Sequence, residues 1–478
     1  TLSNSGGPIV LDQDGPEIYA TNFTIAPSPH EAGTIWVGSD DGLVHITRDT
    51  GRSWSNVSPP DLAPFSRVSR IDASRHRAGA AYVATKRYDL DDRRPYIWRT
   101  NDFGKTWTSI VSGIRPDDYV HVVREDPVRA GLLYAGAEHA VYVSLDDGAR
   151  WQPVSLNLPD LQVSDLVVAG RDLVIATHGR SFWVLDDVSP LRQWNADVAA
   201  SEAFLFAPAE STRRLRPALI DYWLTSPADS VTVDLIDARG QIARRLASAL
   251  PRTRGLHRVT WDGRYTGAIV FPGIILEGGD PRRGPLAPPG AYEVRLTTWT
   301  DGRSVVRARK LDVRKDPRLT DVTDADLSEQ FELAMRIRDA TSTANEAVIS
   351  IREISAQLAD RARRAESDQA RIRALAMSLA DSLRAVESEI YQVRNQSSKD
   401  KIAFPIKLDD RLAGLRTNLE RGDGPPPESY ARVFTELSQE LDVQLRRLGV
   451  FLERDLLALN ARLAEAGLPA IATRKTVL

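Results

Sequence analysis

Three copies of one octad, a run of alternating apolar segments and four stretches of helical periodicity, the third of them short, predict a chain that is mainly β and then α. The expected architecture is about four β-propeller blades over 1–197, an Ig-like β-sandwich over 198–318 and an α-helical bundle over 319–478.

The octads come first in the chain. They are Thr47-Arg-Asp49-Thr-Gly51-Arg-Ser-Trp54, Thr100-Asn-Asp102-Phe-Gly104-Lys-Thr-Trp107 and Ser144-Leu-Asp146-Asp-Gly148-Ala-Arg-Trp151. Their tryptophans stand 53 and 44 residues apart, within reach of a four-stranded blade. Short apolar strands precede each octad: Ile35-Trp-Val-Gly38, Ala81-Tyr-Val-Ala84 and Leu133-Tyr-Ala-Gly136. A fourth copy, Leu173-Val-Ile-Ala176 followed by Phe182-Trp-Val-Leu-Asp186, lacks the Gly and Trp. Earlier still lie Thr24-Ile-Ala26, Arg70-Ile-Asp72, His121-Val-Val123 and Asp165-Leu-Val-Val168. In each octad the Asp is expected to accept hydrogen bonds from its own turn, while Gly supplies positive φ and Trp covers the hairpin. Asp49, Asp102 and Asp146 are therefore read as structural.

The octads resemble the Asp-box of BNR-repeat proteins, and their surroundings resemble the sortilin-like propellers of bacterial sequences of that family. Ala176-Thr-His-Gly-Arg-Ser-Phe-Trp-Val-Leu-Asp-Asp187 is similar to that family's closing blade. The resemblance implies the fold and says little of activity, because hydrolases, assembly factors, receptors and scaffolds share it. It also implies more blades than four. The chain is therefore expected to be the C-terminal part of a longer family member; the alternative is that Pro8-Ile-Val-Leu11 completes a small ring.

The middle segment reads as a sandwich. Alternating strands are expected at Ala218–Leu224, Val231–Ile236, Gln241–Leu246, His257–Trp261, Ala291–Leu296 and Val305–Val313, with turns at Asp237–Gly240, Pro288–Gly290 and Asp301-Gly302. The run through Trp261-Asp-Gly263 and on to Pro288-Pro-Gly290-Ala-Tyr292 resembles an Ig-like domain of the flagellar hook-cap type, which implies a core Trp261. The loop from Arg264 to Ala287 carries Ile269, Val270, Phe271, Ile274, Ile275 and Leu276, and is expected to be an exposed arm that grips a partner.

Helices are expected from Thr323-Asp-Ala-Asp326, a plausible N-cap, towards Arg364; through Ile372 to Val393; and over Asp409 to Glu420. Beyond Gly422-Asp-Gly-Pro-Pro-Pro427 a fourth places Leu437, Leu441, Leu445, Leu448, Leu452, Leu459 and Leu463 on one stripe.

Composition excludes several chemistries. The absence of cysteine removes disulfides, thiolate catalysis and Cys-ligated metals. A net charge of -3 gives no reason to expect a nucleic-acid partner. No apolar stretch is long enough to span a membrane, the run Ala268–Leu276 being broken by Pro272 and Gly273. The histidines (His30, His45, His76, His121, His139, His178 and His257) show no metal-ligand spacing. No carboxylate pair outside the octads stands in a glycosidase-like motif, and Ser144 and Ser181 lack a nucleophile elbow. His178 and Arg180, placed near a possible channel mouth, are the only polar residues singled out. No catalytic residue, cofactor or metal is assigned. The expected function is a periplasmic or secreted, non-catalytic scaffold that binds protein partners, among them a membrane-protein complex such as a photosynthetic reaction centre. The alternative is a fragment of a BNR-type glycoside hydrolase of the sialidase or xyloglucanase kind, with its active site in missing blades.

Overall fold

The computed structural model describes residues 19–154, 156–364 and 370–473. The chain forms two compact units, Thr1–Ala200 and Ser201–Leu478. The segment Pro8–Leu11 lies outside the described residues.

The first unit is a series of antiparallel sheets, each built from consecutive strands. Blade 1 holds β1 (Asn22–Pro27), β2 (Ile35–Ser39), β3 (Val44–Thr47) and β4 (Ser55–Asn56). Blade 2 holds β5 (Arg67–Ala73), β6 (Ala81–Arg87), β7 (Asp92–Thr100) and β8 (Thr108–Ser109). Blade 3 holds β9 (Val120–Glu125), β10 (Leu133–Ala137), β11 (Val141–Ser144) and β12 (Gln152–Pro153). Blade 4 has three strands, β13 (Val163–Ala169), β14 (Asp172–Thr177) and β15 (Phe182–Leu185), in keeping with its missing octad. Two short helices, α1 (Ser189–Gln193) and α2 (Ala196–Ala200), end the unit.

The first strands of successive blades lie beside one another, β1 on β5, β5 on β9 and β9 on β13. This is the radial order of a partial propeller of four blades. The outermost strands β4, β8 and β12 are two residues long, which leaves little unpaired edge. Alternation puts apolar side chains on both faces of each sheet, and the faces interlock. Trp36, Val44 and Ile46 pack on Val68, Ile71 and Val83; the same layering joins blade 2 to 3 and blade 3 to 4.

The octads close the β3–β4, β7–β8 and β11–β12 hairpins by short-range bonds. In the first, Asp49 accepts the backbone N–H of Ser53 at 2.9 Å and its hydroxyl at 2.6 Å, while Thr47 Oγ1 accepts the N–H of Gly51 at 2.9 Å. The second and third repeat the backbone bonds at Asp102 and Asp146. Ser144 is consumed in this way, donating to Asp146 and accepting from Gly148. The tryptophans do more than cover their turns. Trp107 Nε1 donates to the carbonyl of Val57 and Trp151 Nε1 to that of Ile110, each at 2.7 Å on the preceding blade. Trp54 has no such blade before it among the described residues and is exposed.

The second unit begins with a sandwich. Its first sheet orders β16 (Ala203–Leu205), β18 (Ala218–Leu224) and β21 (Gly255–Trp261). Its second orders β17 (Ser211–Thr212), β25 (Arg303–Arg314), β24 (Gly290–Thr300), β19 (Ser230–Ile236) and β20 (Ile242–Leu246). A small hairpin pairs β22 (Arg264–Thr266) with β23 (Arg283–Leu286). Ile220, Tyr222, Val233, Leu235, Trp261, Val294 and Leu296 fill the core between the sheets. Trp261 is a core residue, and its Nε1 donates to the carbonyl of Arg264 at 2.8 Å.

Helices α3 (Asp324–Arg364), α4 (Ala370–Ile390), α5 (Leu408–Leu419), α6 (Glu428–Val450) and α7 (Leu457–Glu465) follow. Thr323 and Asp326 form a capping box: the Thr323 hydroxyl accepts the Asp326 N–H at 3.1 Å, and Asp326 accepts the Thr323 N–H at 2.8 Å. The expected fourth helix is interrupted. A π-helical turn over Phe451–Leu456 rotates the stripe beyond α6, so that Leu456, Leu459 and Leu463 are buried while Leu452 lies at the margin of the core; Leu445, within α6, is also only partly buried.

The loop Arg264–Ala287 corrects an expectation. It is not a free arm. Phe271 and Ile274 are buried in the helical core, with Val270 and Leu276 packed on its margin, and only Ile269 of the apolar set stays exposed. The Phe271 ring stands edge-on to Tyr391 with centroids 4.9 Å apart, under the guanidinium of Arg352 at 4.5 Å. Asn345 Nδ2 donates to the Ile269 carbonyl at 2.7 Å, and Asp410 accepts the N–H of Glu277 at 2.9 Å. A Cβ on Gly278 would lie 2.6 Å from the Asp410 carbonyl, so only glycine lets the loop approach α5 this closely. The physical reason is that α3, α4 and α5 offer apolar surface that the loop's own sequence does not reveal, and burying the loop there removes both from water. A loop spent on the helical core is not available to grip a partner.

Candidate binding face of the blades

Strand direction separates the chemistry of the first unit. The inner strands β5 and β9 start, and the second strands β6, β10 and β14 end, at the rim opposite the octads. On that rim blade 2 is longer than blades 1 and 3. Strands β6 and β7 extend past their counterparts and are joined by a single 3₁₀ turn at Tyr88–Leu90, closed by Asp91 in the left-handed region at φ 57°.

This extension brings a cluster together. The Tyr88 ring stacks on Tyr119 with centroids 5.2 Å apart, and Tyr119 leans on His121 at 5.1 Å. Lys86 Nζ lies 3.1 Å from His121 Nδ1, and His121 Nε2 lies 3.0 Å from a Glu138 carboxylate oxygen. An ammonium can only donate, so Nδ1 is the acceptor and the proton sits on Nε2, pointing to Glu138. Burial, and then the Lys86 cation, pull the His121 pKa down to about 4. Burial pulls the Lys86 ammonium down as well, and burial with the Glu138 hydrogen bond raises the Tyr119 phenol. Arg67 pairs with Asp89 at 3.0 Å and reaches the Tyr88 hydroxyl at 3.4 Å.

The buried part of the cluster holds the exposed part. His121 is almost fully enclosed, so its imidazole positions Lys86, Glu138 and Tyr119 and is not open to a ligand. Tyr88 is exposed. The surface can therefore stack on a planar or aliphatic group and offer hydrogen bonds beside it.

A second set of charges runs along the inner strands. Arg124 on β9 bonds Asp72 of β5 and Asp165 of β13, each at 3.1 Å, and its Nε donates to the Leu166 carbonyl at 2.8 Å. Arg70 of blade 2 pairs directly with Asp165 of blade 4. These four groups neutralise one another and stitch three blades together.

His178 and Arg180 are exposed at the end of β14, on the same rim. The His178 N–H donates to the Gln162 carbonyl at 3.0 Å. Arg180 offers its carbonyl to Trp183 Nε1 at 3.2 Å, and Ser181, with φ 62°, is a turn residue. Sequence reading missed Lys86, Tyr88, Tyr119, His121 and Glu138. The one signal was the longer of the two tryptophan spacings, which contains the blade 2 extension.

No family model matches the chain, and no curated protein matches it. Among solved structures, YCF48 bound to a D1 peptide is 12% identical over 60% of this chain and 82% of that one, with a TM-score of 0.27. YCF48 from Cyanidioschyzon merolae is 14% identical over 63% and 85%, with a TM-score of 0.28. The GH74 xyloglucanase from Xanthomonas campestris is 13% identical over 61% and 47%, also with a TM-score of 0.28. The blade assignment rests on strand pairing, not on these likenesses.

Proposed function

We propose that this chain is a non-catalytic, extracytoplasmic scaffold that holds a protein partner on the rim formed by Tyr88, Tyr119 and Arg67. The observation that carries the reading is the stacked Tyr88–Tyr119 pair, raised on the blade 2 extension and backed by a buried Lys86–His121–Glu138 relay. Aromatic rings beside arginine are the usual anchors of protein recognition. The imidazole that would serve as a general base is enclosed and held neutral by its neighbours, which suits positioning better than proton transfer to a substrate. The partner class we favour is an extracytoplasmic segment of a bacterial membrane complex, such as a photosynthetic reaction centre.

The test uses the full chain and a peptide array covering the extracytoplasmic loops of such a complex. Binding to a subset of peptides is expected, with at least a tenfold loss in the Tyr88→Ala/Tyr119→Ala variant and retention of the melting temperature. Equal binding by the variant would move the site elsewhere. Release of reducing sugar from xyloglucan or a sialoside by the purified chain would overturn the non-catalytic reading.

A further inference from the structure

Most hydroxyls of α3 fall back on the helix's own backbone. Ser328, Thr341, Ser342 and Thr343 each donate to the carbonyl four residues earlier, at 2.8 to 3.1 Å. Ser350 does not. It is only 4% exposed, yet its hydroxyl has no hydrogen-bond partner among the described residues. A buried hydroxyl in that state is destabilising until something else bonds it. Ser350 lines a cavity of about 560 Å³ between α3 and α6.

Gly449 keeps this cavity open. A Cβ added there would meet nothing within 4 Å, so the space beside it is unfilled. The π-helical turn that starts at Phe451 brings Leu452 and Glu453 to the same place. The wall is apolar, with Ala347 and Leu448 buried and Leu445 and Leu452 partly buried. The rim is charged. Glu346, Asp442 and Glu453 bring carboxylates and Arg446 a guanidinium, and none of the four makes an ion pair among the described residues. Three carboxylates against one guanidinium leave the rim with two negative charges in excess.

We propose that this cavity binds an amphipathic amine, a small molecule with an aliphatic or aromatic body and an ammonium group. Its volume is that of a small-molecule site. The apolar wall takes the body, and the Ser350 hydroxyl bonds a polar atom of the ligand that reaches it. The rim carboxylates accept the ammonium N–H groups and attract their charge. Water is a poor occupant at the wall, where it would find Ser350 among apolar atoms, because an ordered water takes about three hydrogen bonds. An anionic ligand would meet three like charges and Arg446. The cavity lies wholly within the second unit and owes nothing to the blade 2 rim.

The experiment is calorimetric titration of the full chain with octylamine, octanol and octanoate, which share one body and differ in charge. Octylamine is expected to bind about tenfold more tightly than octanoate, with octanol between them. The gap should narrow as salt is added, because the rim charges face solvent. Gly449→Leu fills the cavity and suits a helix better than glycine, so octylamine binding should fall about tenfold or more with circular dichroism unchanged. A second variant, Glu346→Gln/Asp442→Asn, leaves the wall intact and sets one carboxylate against Arg446. It should bring octylamine and octanoate to similar affinities without changing that of octanol. No octylamine binding by the wild type at about 1 mM overturns the proposal. So does equal binding by a folded Gly449→Leu variant, or octanoate binding as tight as that of octylamine.

Discussion

Asp410 accepts the backbone N–H of Glu277 through both carboxylate oxygens, at 2.9 and 3.0 Å, and so ties the first turn of α5 to a loop 133 residues earlier. The same carboxylate also accepts the N–H of Gly278. Asp410→Ala leaves these donors without their acceptor, and a loss of about 2–4 kcal/mol is expected from unpaired N–H groups in a part-buried site. Urea denaturation followed by tryptophan fluorescence measures it; an unchanged midpoint would show that the tie is incidental.

Phe271 tests whether the loop is core. Its ring is buried between Tyr391 and Arg352, so Phe271→Ala opens a cavity and removes a stacking partner. The expected cost is about 3–5 kcal/mol. The helical circular dichroism signal should be lost at lower urea; a shift equivalent to less than about 1 kcal/mol would return the loop to the periphery.

The first octad should fail in acid. Hydrogen bonds from Ser53, first from its hydroxyl and then from its N–H, lower the Asp49 pKa from 3.8 to about 2. A depressed carboxylate stabilises the fold above its unfolded pKa and loses that effect as pH falls through its folded pKa. The melting temperature of the wild type should therefore exceed that of Asp49→Asn at pH 5, with the gap closing between about pH 4 and pH 2. A gap that stays constant down to pH 2 would contradict the assignment.

His121 acts in the same direction at higher pH. Its folded pKa of about 4 lies below the ordinary 6.5, so the unfolded chain takes up the proton first. Stability should fall as pH drops from about 6.5 to 4 and be fully present above 6.5. His121→Gln should flatten that part of the profile. An imidazole that titrates near 6.5 by NMR in the folded chain would rule out the Lys86–His121–Glu138 arrangement.

Asp409, beside the gripping Asp410, is fully buried with one carboxylate oxygen unpartnered, and burial raises its pKa well above the usual 3.8. Ionising it costs stability as pH rises above 3.8. Asp409→Asn should gain on the wild type as pH rises above about 4, measured by urea midpoint; parallel profiles would place the charge in contact with solvent.

The blade repeat, the capping box at Thr323 and the sandwich strands were legible because each is written within a few residues. Asp49 bonds Ser53 four residues away, and a strand such as Ala218–Leu224 declares itself by alternation alone. The ends of the middle domain were harder. Ser211–Thr212 and the β22–β23 hairpin are two to four residues long, too short for a periodic signal, and they exist through pairing with strands far along the chain. In the binding rim, His178 was visible as a polar residue in a recognisable motif. His121 was not, since His121-Val-Val123 reads as an ordinary strand until Lys86 and Glu138 arrive from β6 and the end of β10.

The sequence by itself determined the order and type of elements: strands in blade-sized groups, then a sandwich, then long helices. These depend on hydrogen bonds between near neighbours and on the period with which apolar side chains recur. Tertiary structure alone decided which apolar groups are hidden. Phe271 and Ile25 look equally costly to expose, yet Phe271 is 2% exposed and Ile25 66%. Phe271 meets partners from far along the chain, Arg352 on α3 and Tyr391 just past α4, whereas Ile25 has no preceding blade among the described residues. Burial is a property of surfaces brought together, and no local pattern records which surfaces meet.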